Sequence, residues 1–243
     1  MKTCFRLFLV SFILFLNSCE DEPSVVTPEF GTLTDVEGNV YRTVKIGDQW
    51  WMAENLAVST FNNGDAILYV NSTDSIGWAG STNSVPLCCY YEGNSNAPGM
   101  LYNFKAVSDS RQLAPAGWHV ASDEDWKTLE QFVGMSGTDA SKTGWRGSNQ
   151  GDQLKKTGLD YWARYQQVWA TDAYSFSALA GGCRLFDARY STPGGLTYAG
   201  FWWTSTPQQG VESWYRYLDY KASAVFRSHV SAGYGMSVRC VKD

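Results

Sequence analysis

The residues best suited to chemistry lie in one stretch late in the chain. From Trp214 to Met236 it reads Trp-Tyr-Arg-Tyr-Leu-Asp-Tyr-Lys-Ala-Ser-Ala-Val-Phe-Arg-Ser-His-Val-Ser-Ala-Gly-Tyr-Gly-Met. Tyr215, Tyr217 and Asp219 alternate with Arg216, Leu218 and Tyr220, the period of a strand with two different faces. One face can pack while the other shows Tyr and Asp to a ligand. Tyr rings supply rigid contact area at low entropic cost, and small Ser, Ala and Gly adapt around them. The chemistry this points to is binding. Trp202, Trp203, Tyr215, Tyr217, Tyr220 and Phe226 are the candidate anchors, with Asp219, Ser228, His229 and Ser231 as polar contacts. Trp202 and Trp203 are adjacent in a strand-like run, so they point to opposite sides and one of them is expected to line the face.

Other reactive residue types are sparse. His119 and His229 are the only histidines, which excludes a histidine-rich metal centre. Asp152, Asp160 and Asp172 are isolated carboxylates, read as solvated turn residues rather than calcium ligands. No carboxylate pair can be assigned to glycoside hydrolysis, because the separation that matters there is spatial. No catalytic residue, metal or cofactor is therefore expected. The 19 basic and 24 acidic residues give −5, and no basic run appears. A nucleic-acid groove needs clustered Lys and Arg, so nucleic acid is excluded as a partner.

The elements that must hold these residues are short. Aromatics form 15 % of the chain and 23 Gly punctuate it, which suits strands and structured loops better than a helix bundle. Val40–Ile46 and Gln49–Trp50-Trp51-Met52 read as a hairpin around Gly47-Asp48. Residues 62–98, rich in Asn, Ser, Gly and Pro, read as long loops. The best helix runs from Asp123 to Gly134: Ser122 is an N-cap, three acids follow, and Trp126, Leu129, Phe132 and Val133 form one apolar face. Met100–Val107 is a second, shorter helix. Strands return at Phe176–Leu179, Phe201–Thr204, Ser213–Tyr220, Ala224–Phe226 and Ser237–Val241. The expected fold class is α+β.

The chain starts with Lys2 and Arg6, then an apolar run from Leu7 to Leu16, too short to span a bilayer and suited to a secretory signal. Leu16-Asn17-Ser18-Cys19 resembles the lipobox of bacterial lipoproteins, in which the cysteine is lipidated and becomes the mature N-terminus. Residues 1–18 are thus a signal peptide and 19–30 a lipidated tether, with Cys19 the lipidation site. Glu20-Asp21-Glu22 resembles the acidic export signal of Bacteroidetes surface lipoproteins, so the expected location is the outer membrane, lipid-anchored and surface-exposed. Export leaves Cys88, Cys89, Cys183 and Cys240 in an oxidising compartment, where three connectivities are open. Neighbouring Cys88 and Cys89 make a strained bridge. Cys183–Cys240 is the leading pairing.

An ordered series of motifs adds what periodicity does not. Trp51-Met52-Ala53-Glu54-Asn55-Leu56, Gly99-Met100-Leu101-Tyr102-Asn103, Pro115-Ala116-Gly117-Trp118-His119-Val120 and Asp125-Trp126 are followed by Leu154-Lys155, Phe176-Ser177-Ala178-Leu179, Trp202-Trp203-Thr204-Ser205-Thr206 and Ser237–Asp243. Over residues 31–243 this series resembles the Fibrobacter succinogenes major paralogous domain, and in part sulfatase-modifying-factor domains. The resemblance implies a C-type-lectin-like fold with twisted antiparallel sheets, two helices and long loops. It also implies a non-catalytic surface lipoprotein that binds a protein or glycan ligand. In lectin-fold proteins diversified by retroelements this same C-terminal stretch carries the variable positions. Tyr215, Tyr217, Asp219, Ala222, Ala224, Phe226, Ser228, His229 and Ser231 all fit the set of residues that adenine mutagenesis of AAC-type Asn codons can give. A variable receptor face within 201–236 is therefore a further expectation. Family members often carry Cys before the Pro-x-Gly-Trp block, where Leu113 and Ala114 stand here, which turns Cys240 toward Cys183. The alternatives are a structural or adhesive component of the cell envelope, and an oxidase related to the sulfatase-modifying fold.

Overall fold

A computed structural model describes residues 27–81, 84–191 and 196–243 of the protein; the signal, Cys19 and most of the tether lie outside them. In chain order the elements are β1 (Glu29–Thr34), β2 (Val40–Ile46), β3 (Gln49–Met52), β4 (Leu68–Tyr69), α1 (Ser75–Ser81), β5 (Leu87–Cys89), β6 (Leu101–Tyr102), α2 (Phe104–Val107), β7 (Trp118–Val120), α3 (Asp123–Phe132), α4 (Gly137–Ser141), β8 (Gly144–Arg146), α5 (Gln150–Leu154), β9 (Ala199–Pro207), β10 (Glu212–Asp219), β11 (Val225–Ser231) and β12 (Cys240–Lys242). This is a sheet-rich α+β fold. Five short α-helices stand among the described residues where the sequence suggested two.

Three sheets result, ordered β1-β2-β3-β12-β7, β8-β11-β10-β9 and β4-β5-β6. The first two are antiparallel; in the third, β4 and β5 run parallel, a departure from the all-antiparallel expectation. The predicted hairpin forms at the expected bounds, with Gly47 at positive φ in the turn. The second predicted helix starts late. Leu101 and Tyr102 pair with β5, and the Asn103 side chain then caps α2 by accepting the Ala106 N–H at 3.1 Å.

Helix α3 is entered through a reciprocal cap. Ser122 Oγ accepts the Asp125 N–H at 3.1 Å, and the Asp125 carboxylate accepts the Ser122 N–H at 2.8 Å. This satisfies two donors that a helix start leaves open. Trp126, Leu129 and Val133 are buried as expected, but Phe132 is 50 % exposed, lying over Gly47 and edge-on to Tyr174. Trp126 forms a mutually edge-on trio with Trp51 and Phe176 at 5.3–5.5 Å between centroids. Phe176 does not reach this core from a strand, as the sequence suggested. Asp172 accepts the Ser177 N–H and hydroxyl, both at 2.7 Å, and Ser175 and Ser177 take positive φ, so a tight turn drives the ring inward.

Strand β9 lies between two hydrophobic cores. Trp202 packs in the one containing Trp51, Trp126 and Phe176, and Trp203 in the one containing Tyr102, Cys183, Met236 and Cys240. The cysteine expectation is corrected here. Cys183 and Cys240 are buried free thiols, Cys240 in β12 paired with Val120 and Cys183 in a separate segment beside Ser191. Cys88 and Cys89 are also free, and β5 directs them into different cores.

His119 ties β7 to its surroundings. Its Nε2 meets Asp125 Oδ2 at 3.1 Å and its Nδ1 meets Asp243 Oδ1 at 2.7 Å. The hydrogen bond to Asp125, helped by that to Asp243, raises its pKa from 6.5 to about 9 against partial burial. A raised histidine contributes its full stabilisation below the unfolded value and loses it as pH climbs through the folded one. The melting temperature of the wild type should therefore fall from pH 6.5 to 9.5 more steeply than that of His119→Asn. Parallel pH profiles would show that the ring stays neutral between its carboxylates.

Candidate functional site

The site is built on the alternation of β10 and β11. Arg216 and Leu218, with Val225 and Arg227, face inward and are buried. Tyr215, Tyr217 and Asp219 take the opposite face of β10, and Phe226 and Ser228 that of β11, in the register Tyr215↔Ser228 and Tyr217↔Phe226. Strand β9 adds Phe201 opposite Tyr217, and β8 adds Trp145 opposite Phe226.

Rings from all four strands therefore meet on one surface. Phe201 and Tyr217 stack at 4.5 Å with planes 6° apart. Trp145 lies 5.3 Å from Tyr217 and 5.2 Å from Phe226, and Phe226 5.9 Å from Tyr217. Tyr215 closes the group at 6.2 Å from Phe226 and 6.4 Å from Phe201. Trp145 is 47 % exposed and the other four rings are half-buried. Such offset and edge contacts hold the rings in fixed positions. Burial pushes the Tyr215 phenol up to about 12. Burial and a hydrogen bond to Asp219 likewise raise Tyr217, so both hydroxyls keep their protons at physiological pH. The face thus offers apolar area with Tyr hydroxyl, Asp219 and Ser228 polar groups at its margin.

The other side of the same strands is clamped by buried charge. Arg216 donates from Nε to Glu130 Oε1 at 2.6 Å and from Nη1 to Asp123 Oδ1 at 2.8 Å. Arg227 engages both Asp123 oxygens at 2.7–2.8 Å, and Arg146 both Glu130 oxygens at 2.8 Å. Trp214 covers the Arg227 guanidinium at 3.6 Å. Burial raises the Asp123 carboxyl, but Arg227 and Arg216 overcome this and hold it well below the carboxylate range. The strands are fixed from beneath by α3, and their outward side chains take no part in that.

Of the candidates named from the sequence, the structure brings five together on this face: Tyr215, Tyr217, Asp219, Phe226 and Ser228. Trp202 and Trp203 do point to opposite sides, yet both are fully buried, because β9 has a core on each side. Their indole N–H groups are committed to Asn55 Oδ1 at 3.0 Å and to the Tyr102 carbonyl at 2.8 Å. His229 lies across from Trp214 on the other face, with Nδ1 2.5 Å from Glu212. Ser231, at the end of β11, shares that parity. Tyr220 leaves the strand where Asp219 Oδ1 accepts the Lys221 N–H at 2.7 Å, and its ring packs between Tyr165 and Tyr198. Trp145 and Phe201 were missed. Phe201 was legible from its partner in the Phe-Trp-Trp run, while β8 is three residues long and pairs with a strand eighty positions away.

Among the described residues no three His, Cys, Asp or Glu side chains group as a metal site, and no helix is long and apolar enough to cross a membrane. These features define a sheet-rich α+β domain in which one sheet is locked from inside and carries a partly exposed aromatic group on its outer face. Residues 44–242 match the Fibrobacter succinogenes major domain, and the chain belongs to that family. No curated protein and no solved structure matches it significantly.

Proposed function

We propose that the protein is a surface-anchored, non-catalytic lipoprotein whose domain has a C-type-lectin-like fold and binds a protein or glycan ligand on the outer face of β8–β11. The observation that carries this reading is the contiguous group Trp145, Phe201, Tyr215, Tyr217 and Phe226, partly exposed on a sheet whose inner face is separately fixed. Large, rigid, incompletely covered aromatics are what interface anchors are made of. The thiols support a non-catalytic role. Burial raises Cys183 to about 12 and Cys240 further, far from the low pKa of a reactive thiolate. The lipobox-like Leu16-Asn17-Ser18-Cys19 supports the anchor.

Parity supports a diversified face as well. Of the nine positions named as compatible with adenine mutagenesis, 215, 217, 219, 226 and 228 point outward, His229 and Ser231 take the other parity, and the intervening Arg216, Leu218, Val225 and Arg227 are buried. A diversified receptor would vary at the first set across a natural population and hold the second constant.

Binding is tested by immobilising the mature protein and probing surface extracts of the bacterium that encodes it. Tyr217→Ser with Trp145→Ser is expected to abolish capture of whatever the wild type retains. Both side chains are at least partly exposed, and a thermal melt establishes that the double variant is folded before capture is read. Undiminished capture by a folded double variant would remove this face as the binding site.

A further inference from the structure

A second concave site lies beside the turn that follows β10, apart from the aromatic face. It is a cleft of about 220 Å³ lined by Leu159, Trp162, Trp169 and Tyr220, with Lys155 and Arg164 as its charged members. Trp162 is fixed, since it is buried and its Nε1–H donates to the Ala178 carbonyl at 2.9 Å. Tyr220 is held edge-on by Tyr198 and Tyr165 at 4.9 and 5.8 Å. Leu159 and Trp169 are 69 % and 51 % exposed and form an apolar wall.

The charge around this apolar wall has one sign. No Asp or Glu lines the cleft, in a chain whose acids outnumber its bases. The buried Lys155 ammonium donates to Asp152 Oδ1 at 3.0 Å and to the Ala222 carbonyl at 2.7 Å, so that pair is locally neutral. Arg164 differs: it is exposed, lies 4.5 Å over the Trp169 ring, and has no carboxylate partner among the described residues. Lys221 sits at the rim, 5.1 Å over Tyr220. Asp160, in the same loop, is exposed and outside the lining. A guanidinium stacked on an indole is held in orientation while its N–H edge stays free for a planar anion.

We propose that this cleft binds a small organic acid: one carboxylate, taken by Arg164, on a ring-sized body that lies against Trp162, Trp169 and Leu159. The volume is sufficient for a single six-membered ring and its substituents. An acidic sugar and an aromatic acid share this chemistry, and they are separated by the probes.

The test titrates the mature protein with glucuronate and with phenylacetate, each beside its neutral counterpart, glucose and phenylacetamide, by calorimetry and tryptophan fluorescence. One charge-assisted contact and one buried ring face should give a Kd on the order of 1 mM for at least one acid, weakened by added salt. The matching neutral compound and the Arg164→Gln variant should each bind about tenfold or more weakly. Glucuronate alone binding assigns the site to acidic sugars, phenylacetate alone to aromatic acids, and both to the shared carboxylate. Arg164 is exposed, so its variant should fold, and Tyr217→Ser should leave the titration unchanged. Failure of both acids to bind by about 50 mM, equal affinity for acid and neutral analogue, or an unaffected Arg164→Gln would each overturn the proposal. Loss of binding in Tyr217→Ser would do the same, by moving the ligand to the other face.

Discussion

Arg239→Met is expected to leave little or no folded protein. Arg239 is fully buried, and its donors reach four acceptors on two segments: Asn55 Oδ1 and the Met52 carbonyl at 2.7 Å, and the Phe176 and Ser177 carbonyls at 2.8 and 2.9 Å. None of these is a carboxylate. Burial lowers its pKa from 12.5 to about 9, which still leaves it cationic at neutral pH. The side chain therefore works as a fork of donors that joins the end of β3, the Phe176 turn and the approach to β12. Methionine fills much of the volume and donates nothing, so at least three buried carbonyls lose this partner at about 1–3 kcal/mol each. Summed, that approaches the whole stability of an ordinary domain. Arg239→Lys keeps the charge and three donors but from a single point, so it should fold with a clearly lowered urea midpoint. A Met variant within about 1 kcal/mol of wild type would show that the carbonyls find other donors.

The same residue marks the limit of what the sequence discloses. Ser-Val-Arg-Cys-Val reads as a strand, and nothing local says that the Arg side chain enters the core between two distant turns. Local rules succeeded where one element decides its own fate. The β2–β3 hairpin follows from alternation and Gly47, and α3 follows from Ser122, its acids and its apolar spacing. The outward parity of Tyr215, Tyr217 and Asp219 also came from period alone, and it holds because Arg216 and Leu218 have somewhere to go. Failures came where a second layer intervenes. Trp203 is buried because Phe104 and Tyr102 cover the half of the outer face nearest β9. Tyr220, just past the end of β10, keeps the Leu218 side and packs against the core that holds Leu218 and Val225, so it stays off the Tyr215–Tyr217 face. Trp145 joins the aromatic face by a pairing with no sequence-local signature. Cys183 and Cys240 share a core without being bonded, a distinction of geometry rather than of sequence spacing.

The second large effect is expected beneath the aromatic face, at Glu130. This fully buried carboxylate takes both Arg146 terminal nitrogens and Arg216 Nε, and Asp123 beside it takes Arg216 and Arg227. Three guanidiniums thus share two carboxylates. The excess positive charge is met by carbonyls at the end of α4: Ala140 at 2.7 Å from Arg146, and Ser141 and Lys142 at 3.1 and 3.3 Å from Arg227. A helix C-terminus is the right place for it, since its free carbonyls carry partial negative charge. Among the described residues, Glu130→Ala removes the only carboxylate bonded to Arg146 and one of the two bonded to Arg216. Breaking one side of such a buried pair costs about 3–5 kcal/mol, because the remaining charge stays desolvated. In a domain of this size that is a fall in melting temperature on the order of 10 °C. Adding Arg146→Met to Glu130→Ala should restore part of the loss, since an apolar side chain replaces the stranded cation. If the double variant were no more stable than the single, the cost would lie in packing rather than in unpaired charge. The cycle also bears on binding. Glu130 touches none of the outward rings, but it fixes Arg216 and so the spacing of Tyr215 and Tyr217 around it. Glu130→Ala that remains folded should therefore weaken ligand capture without altering the face chemically, whereas Lys142→Ala, an exposed change on the same helix end, should not.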